Sequence, residues 1–474
     1  MSETLETSAP PVLAEPRLGG RRFAAVLAAV GLPMFMVTLD NLVVTNALPV
    51  IRTELGASLA DLQWFVNAYT LSFASLLLTA TSIGDRLGRR RVFLSGIALF
   101  TLASAACALA TEPWMLIAAR AVQGFGAAAV MPLSLTLLSS AVPERMRSAA
   151  IGIWGGISGL GVALGPLIGG AVVEGLSWQW IFWINVPIGL LVLPFAARVL
   201  SESHGRAKRL DPLGLVLSAG GVLAVVWGVI HGADDGWTST GVLATLIGGA
   251  VLLGSLIVWE LRTADPMLPL RLFRSRAFRV SNTTGFTFSV GVFGSIFLLA
   301  QYFQVVQGYG PLQSGIRTMP WTMAPMVVAP LAGLIVDRVG ARTLLATGQA
   351  LLAVALGWMA AITSVDASYG AFVGPFLLGG IGMGLTFAPS STVVMASASP
   401  EDRAMASGTN STIREVGVAM GVAVLASVFA SHGSYTSPQS FVDGLSPALW
   451  VGAAIVAAGA VLSCLLPSRI ESAQ

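Results

Sequence analysis

The feature that most restricts the fold is the recurrence of apolar runs long enough to cross a bilayer. A membrane-spanning helix needs about 20 mostly apolar residues. Such runs lie near 22–50, 60–83, 92–111, 113–141, 148–173, 178–200, 212–231, 239–261, 279–306, 314–336, 343–363, 370–398, 405–430 and 447–466. Fourteen spans are therefore expected, and an even number puts both ends on one side. Only 10% of the residues are charged and 55% are hydrophobic, whereas a soluble domain carries about a quarter charged. The expected fold class is an all-α membrane protein.

The connections between runs set the orientation. Gly84-Asp85-Arg86-Leu87-Gly88-Arg89-Arg90-Arg91 joins the second and third runs, and four arginines in so short a loop do not cross a bilayer. Short loops rich in Arg and Lys stay on the cytoplasmic side. With this loop inside, the bases of the other inner loops follow in register: Arg145 and Arg147; Arg206, Lys208 and Arg209; Arg271, Arg274, Arg276 and Arg279; Arg338 and Arg342; Arg403. The outer loops carry acids instead, Glu54, Glu112, Glu174, Asp234, Asp235, Asp366 and Asp443, with Arg52 the one clear base among them. A miscounted span would invert every loop after it, so the pattern supports fourteen spans with both termini cytoplasmic.

Residues 1–20 and 467–474 read as polar cytoplasmic tails. Arg21-Arg22 and the apolar run behind them have no convincing cleavage site, and the run contains Asp40, so it reads as the first span and not a signal peptide. Cys107 and Cys464 lie inside apolar runs and are expected to be buried and unpaired. Trp114, Trp178, Trp180 and Trp237 fall at outer edges and are expected to anchor the membrane interface.

The chain also repeats itself. Asp337-Arg338-Val339-Gly340-Ala341-Arg342 repeats the Asp-Arg-x-Gly-x-Arg core of the first loop. Pro143-Glu144 matches Pro400-Glu401, and Pro132 matches Pro389. The chain thus divides into one six-helix bundle (21–200), two inserted spans with a basic loop (201–278) and a second six-helix bundle (279–466). Parallel six-helix halves around a central site are a transporter plan, in which one half rocks against the other. Within 263–279, alternating Leu and Arg fit either an interfacial helix on anionic lipid or a solvated linker.

Charges inside spans are the strongest chemical signal, since each costs about 2.5–3.5 kcal/mol at a span's centre. Asp40, Arg120, Arg414 and Glu415 qualify. By depth, Asp40 and Arg120 can meet if spans 1 and 4 are neighbours. None of the four recurs in the other half: Arg120 aligns with Leu377, and Arg414-Glu415 with Ile157-Ser158. Function laid over a repeated scaffold breaks symmetry in this way. Buried structural pairs, Asp40 with Arg120 and Glu415 with Arg414, are the competing reading. A carboxylate in low dielectric is suited to carrying a proton, and a proton moving inward gains about 2.3 kcal/mol per 100 mV.

Gly161, Gly165, Pro166, Gly169 and Gly170 in span 5 point to close helix packing or a hinge. Met319, Met323, Asn67 and Gln301 are candidate pocket-lining residues, with ordinary packing as the alternative. No nucleotide-binding Gly-rich loop with Lys exists, Lys208 being the sole lysine, so an ATP motor is not expected in this chain. Neither a metal, a cofactor nor nucleic acid is expected; basic residues lie in short loops and not on a folded basic patch. Gly156-Ile-Ser158-Gly159 faintly resembles an intramembrane serine protease motif, yet no histidine sits at mid-membrane to serve as base, so an enzyme is not expected.

Taken together these residues resemble the fourteen-helix drug:proton antiporters of the major facilitator superfamily. Gly84 to Arg91 is similar to the loop signature between spans 2 and 3, with Thr81 in place of the usual leading Gly. Arg120-Ala-Val-Gln123-Gly124-Phe-Gly126 is similar to the span 4 signature, and Gly161 to Gly170 to the span 5 antiporter signature. Leu39-Asp40 to Pro49 and Trp178 to Gly189 resemble the fourteen-helix branch at spans 1 and 6. The resemblance implies proton-driven export of small amphipathic compounds by a monomer in the cytoplasmic membrane. It implies a role for Arg120 in proton transfer. It also implies gating contacts by Asp85, Arg86, Gly88, Arg89 and Arg90, with Asp337 and Arg338 as their repeat. A dedicated exporter of one metabolite, antibiotic or lipid fits the same residues.

Overall fold

The computed structural model describes residues 20–204, 211–263, 266, 270–398 and 403–467. The first half contains α1 (Gly20–Leu55), α2 (Leu59–Leu87), α3 (Arg89–Ala108), α4 (Pro113–Ala141), α5 (Glu144–Gly175) and α6 (Trp180–Val199). The inserted pair is α7 (Pro212–Asp235) and α8 (Thr240–Arg262). The second half holds α9 (Arg276–Val305), α10 (Pro311–Val339), α11 (Ala341–Ile362), α12 (Tyr369–Ala396), α13 (Arg403–His432) and α14 (Pro438–Ser463). Thirteen are long and apolar enough to cross a membrane as single helices; α2, bent near residue 78, makes fourteen when its two arms count as one span. No strand occurs among the described residues.

Local chemistry explains where these helices start. Proline, which has no N–H to leave unbonded, opens α4, α7, α10 and α14. Ser58 caps α2 in a reciprocal box with Asp61, and Ser239, Ser275 and Ser437 cap α8, α9 and α14. The repeat seen in the sequence reappears as backbone geometry. Gly88 and Gly340 end α2 and α10 with φ of 110° and 88°. Only glycine takes up that region without strain, which is why the motif keeps it in both halves.

Within the first half α1 packs on α5, and α4 on α2 and α3. In the second, α9 packs on α13 and α14, α11 on α12 and α14, and α10 on α12. The halves meet along two seams, α5 against α10 and α2 against α13. The inserted helix α7 lies over the second seam. Val226, Val229 and Ile230 pack there with Leu71 of α2 and with Ala419 and Ala423 of α13, and Ser427 donates to Val229 O at 2.6 Å. The inserted pair is therefore joined to both halves and not merely a linker between them.

Two expectations change. Trp178 is fully buried and donates through Nε1 to Glu54 at 2.9 Å, tying the start of span 6 to the end of α1. Trp114, Trp180 and Trp237 are exposed, as interface anchors are. Cys464 is exposed, whereas Cys107 is buried; both are free thiols. Of the segment 263–279, Leu270–Arg274 is a single 3₁₀ turn and α9 begins at Arg276. Residues 264–265 and 267–269 lie outside the described residues.

Candidate functional site

Helices of the first half bring polar side chains to one buried point. Asp40 of α1 and Arg120 of α4 form an ion pair there, with relative exposures of 2% and 1%. Spans 1 and 4 pack together and place the two charges at one depth and in contact. Asp40 Oδ2 accepts from Arg120 Nη1, while Asp40 Oδ1 accepts from Asn185 Nδ2 of α6 at 2.8 Å and from Gln123 Nε2 of α4 at 2.9 Å. Ser104 Oγ of α3 accepts from the same two amides, at 3.1 and 2.7 Å. Arg120 donates from Nε to Phe65 O at 3.0 Å and from Nη1 to Gln123 Oε1 at 2.7 Å. Its guanidinium also lies over the Tyr69 ring, 4.3 Å from the centroid. A buried charge pair is tolerable only when its remaining donors and acceptors are met, and this one is held by neutral groups on every side.

Gln123, Asn185, Ser104 and Tyr69 do not stand out as site residues in the sequence. Neutral polar groups inside spans are common helix–helix contacts, so nothing marks them individually. Gln123 carries one legible signal: it follows Arg120 by three residues and so shares its helix face.

The second charged centre is built differently. Arg414 and Glu415 are consecutive on α13, and neighbours in sequence do not face each other on a helix. They make no ion pair. Arg414 stacks on Phe387 of α12, 3.9 Å from the ring centroid. Arg414 Nε and Glu415 Oε2 are buried atoms without a hydrogen-bond partner. Of the two structural pairs open to the sequence, only Asp40–Arg120 forms.

Between the halves lies a cavity enclosing about 590 Å³ between its lining atoms, the part continuous with solvent included. Thr45 and Asn46 of α1, Pro166 of α5, Phe293 of α9, Trp321 of α10 and Phe376 of α12 are among its walls. Asn67, Gln301, Met319 and Met323 do not line it. Asn67 and Gln301 are fully buried in helix packing, Gln301 donating to Phe297 O and accepting from Tyr435. On α10 the wall is formed by Thr318, Trp321 and Thr322, which lie on an adjacent face to the methionines.

The span 5 glycines run along two contacts. Gly161, Gly165 and Gly169 face Thr38, Leu42 and Val43 of α1, and Gly170 faces Pro311 and Leu312 of α10. Asn46 Nδ2 donates to Pro166 O at 2.7 Å, joining α1 to α5 beside these glycines.

Hydrogen bonds between the halves gather at mid-depth and at the end opposite the Arg-rich loops. Thr322 Oγ1 donates to Ala163 O at 3.2 Å, Gln304 Nε2 to Asn46 O at 2.8 Å, and Leu312 N to Glu174 Oε2 at 3.0 Å. Arg52 of α1 lies over the ring of Tyr435, 3.8 Å from its centroid, beyond them. At the Arg-rich end the loop folds back on its own half. Arg89 Nε binds Asp85 Oδ1 at 2.7 Å, Arg90 N donates to Glu202 Oε1 at 2.9 Å and Arg89 N to Ser203 O at 2.9 Å. Arg86 and Arg338 are exposed, and the side chain of Asp337 lies outside the described residues. Gly155, Gly156 and Gly159 face open space in the same half of α5. Among the described residues, the contacts between the halves thus close the end opposite the Arg-rich loops, and no hydrogen bond between the halves is found at the Arg-rich end.

Two six-helix halves around a cavity, closed at one end and carrying a buried charge network, define a membrane transporter. The chain belongs to the Major Facilitator Superfamily, whose family model matches residues 30–422 and 318–473. It is 40% identical to Multidrug resistance protein Stp of Mycobacterium tuberculosis over 86% of this chain and 76% of that protein. To the Cephamycin export protein CmcT of Amycolatopsis lactamdurans it is 38% identical, over 92% and 91%. The crystal structure of a bacterial Spinster homologue, inward-facing and unoccupied, superposes with a TM-score of 0.68 at 16% identity, covering 95% of this chain and 98% of that one.

Proposed function

We propose that this protein is a proton-driven exporter of small amphipathic compounds in the cytoplasmic membrane, with both termini and the Arg-rich loops inside. The relatives named for multidrug resistance and antibiotic export support the direction and the class of cargo. Placing the basic loops in the cytoplasm makes the described state open inward. The observation that carries the coupling is the Asp40–Arg120 network, sealed within one half and away from the cavity. An acid there responds to protons, while the cargo occupies a separate space. Glu415, with an unpartnered buried oxygen on the seam helix α13, is the second protonatable group. Arg120 and Arg414 tune the two acids, and α5 transmits the rocking motion. No cofactor is required; protons and the bilayer are the partners of a monomer.

The test uses proteoliposomes that are acidic inside and loaded with a pH-sensitive dye. Adding each of several chemically unrelated compounds outside should raise the lumenal pH as protons leave in exchange. The response should vanish with an ionophore that collapses the gradient. A response to one compound alone would favour the dedicated-exporter reading, which the likeness to the cephamycin exporter keeps in view. No response from folded protein to any compound would reject proton-coupled export.

A further inference from the structure

We propose that Asn185 is the positioning residue that lets Asp40 take up a proton: its carboxamide donates to the carboxylate and turns over to accept from the acid. The proposal rests on the reading of Asp40 as a proton carrier and names the neighbour that responds to the proton.

In the described state Asp40 is surrounded by donors. Oδ2 accepts from Arg120 Nη1, and Oδ1 accepts from Asn185 Nδ2 at 2.8 Å and Gln123 Nε2 at 2.9 Å. This suits a carboxylate, which only accepts. A proton added to Oδ1 makes that atom a donor facing donors. The residue is 2% exposed, so bulk water is not at hand to accept from it. A buried donor without an acceptor is unfavourable, so the acid needs a neighbour that can reverse its role.

Gln123 is held against such a reversal. Its Oε1 accepts from Arg120 Nη1 at 2.7 Å, and turning the amide would set Nε2 against a guanidinium, which has donors only. Phe65 O is already bonded to Arg120 Nε. Asn185 is placed differently. Its Nδ2 bonds to Asp40 Oδ1 at 2.8 Å and to Ser104 Oγ at 3.1 Å, and both atoms can change role. A protonated Oδ1 donates, and a serine hydroxyl donates as readily as it accepts. No hydrogen bond to Asn185 Oδ1 is found among the described residues, so the turn breaks none there. Turning the amide thus exchanges its donated bonds for accepted ones with the same partners.

The other ionisable groups around Asp40 do not supply the acceptor. Arg120 of α4 only donates. The Tyr69 hydroxyl of α2 is directed at Val37 O, at 3.5 Å, and the Cys107 thiol of α3 at Gln123 Oε1, at 3.7 Å. The remaining helices packed on α1, namely α5, α6, α9 and α10, carry their charged residues near their ends.

The experiment is infrared difference spectroscopy, acidic minus alkaline, of the full-length protein in lipid nanodiscs with carbon-13 in its asparagine carboxamides. The Asn185 band is the labelled signal that Asn185→Leu removes; should that variant not fold, Asn185→Thr assigns the same band. The Asp40 band is the protonated-carboxyl signal absent when Asp40→Gln is combined with Arg120→Gln. Acidification should produce the Asp40 band and, with it, a shift of the Asn185 C=O band to lower frequency, because a carbonyl without a hydrogen bond becomes an acceptor. An asparagine with a merely structural role would remain a donor, weakened by loss of the negative charge, and its C=O band would move up. An Asp40 band accompanied by an upward or absent Asn185 shift would overturn the proposal and leave Asp40 as a proton carrier. No Asp40 band at any pH at which the protein stays folded would overturn both.

Discussion

Glu174, near the end of α5, accepts a hydrogen bond from the backbone N–H of Leu312 and so caps the first turn of α10 across the boundary between the halves. An anion at a helix N-terminus is favourable by about 0.3–1 kcal/mol. The same contact cannot survive if α10 moves away from α5, so it contributes only to the described state. Glu174→Ala should shift the population away from closure at this end by up to about fivefold, the equivalent of 1 kcal/mol. Glu174→Gln, which retains an acceptor, should shift it less. Spin-label distances between the ends of α5 and α10 would report both, and equal populations in all three proteins would show that the cap carries no conformational bias.

The network around Asp40 leads to a prediction that separates fold from function. Asp40→Asn removes the one charge paired with Arg120 among the described residues, leaving a buried guanidinium without it. Breaking a buried pair from one side typically costs about 3–5 kcal/mol. The single variant should therefore unfold at lower temperature. Pairing it with Arg120→Gln removes both charges and should recover most of the thermal stability, because Gln123, Asn185 and Ser104 can bond to neutral amides. Transport should stay lost in the double variant. Recovery of gradient-driven transport along with stability would reduce the pair to a structural role.

Much of this arrangement is legible in the sequence. Run length and the alternation of basic and acidic loops determine the spans, because the bilayer imposes both. The Asp-Arg-x-Gly-x-Arg repeat implies a matched backbone turn, and Gly88 and Gly340 share a positive φ. Asp40 and Arg120 share a depth that is legible in the sequence, whereas the packing of spans 1 and 4 that brings them together is not. What is not legible has a physical cause. Inside a membrane protein, apolar residues face lipid, core and cavity alike, so hydropathy does not separate Trp321 in a cavity wall from the exposed Trp358. The methionines of α10 stand out by residue type, yet the wall is made by the neighbouring face. Trp178 reads as an interface anchor because its position in the span suggests it; its bond to Glu54 depends on a partner 124 residues away.

Glu415 presents the opposite case from Asp40. Its Oε2 is buried without a partner, and Arg414 points elsewhere, onto Phe387. Removing an unsatisfied buried charge does not destabilise in the way that splitting a satisfied pair does. Glu415→Gln should hold or raise the melting temperature while lowering gradient-driven transport several-fold. Loss of stability of the size expected for Asp40→Asn would mean that Glu415 is part of the fold and not of the coupling.

The halves approach one another closely at Gly315 of α10, whose missing side chain leaves room for Pro166 O of α5. An added Cβ would collide with that carbonyl and lie 3.1 Å from Asn46 Nδ2, both of them fixed groups. Neither can yield without loosening the Asn46–Pro166 bond, because backbone on one side and a bonded amide on the other leave no flexible side chain to give way. Gly315→Ala should therefore oppose closure of this end while costing little in the state where α5 and α10 have separated. The readout is a single cysteine in place of Thr45 in the cavity wall, with Cys107 and Cys464 replaced by Ser or Ala. In right-side-out vesicles a membrane-impermeant thiol reagent should label this cysteine several-fold faster when Gly315 is Ala. Unchanged labelling would mean that the halves tolerate a methyl group here and that closure is set by the contacts further out, Gln304 with Asn46 and Arg52 with Tyr435.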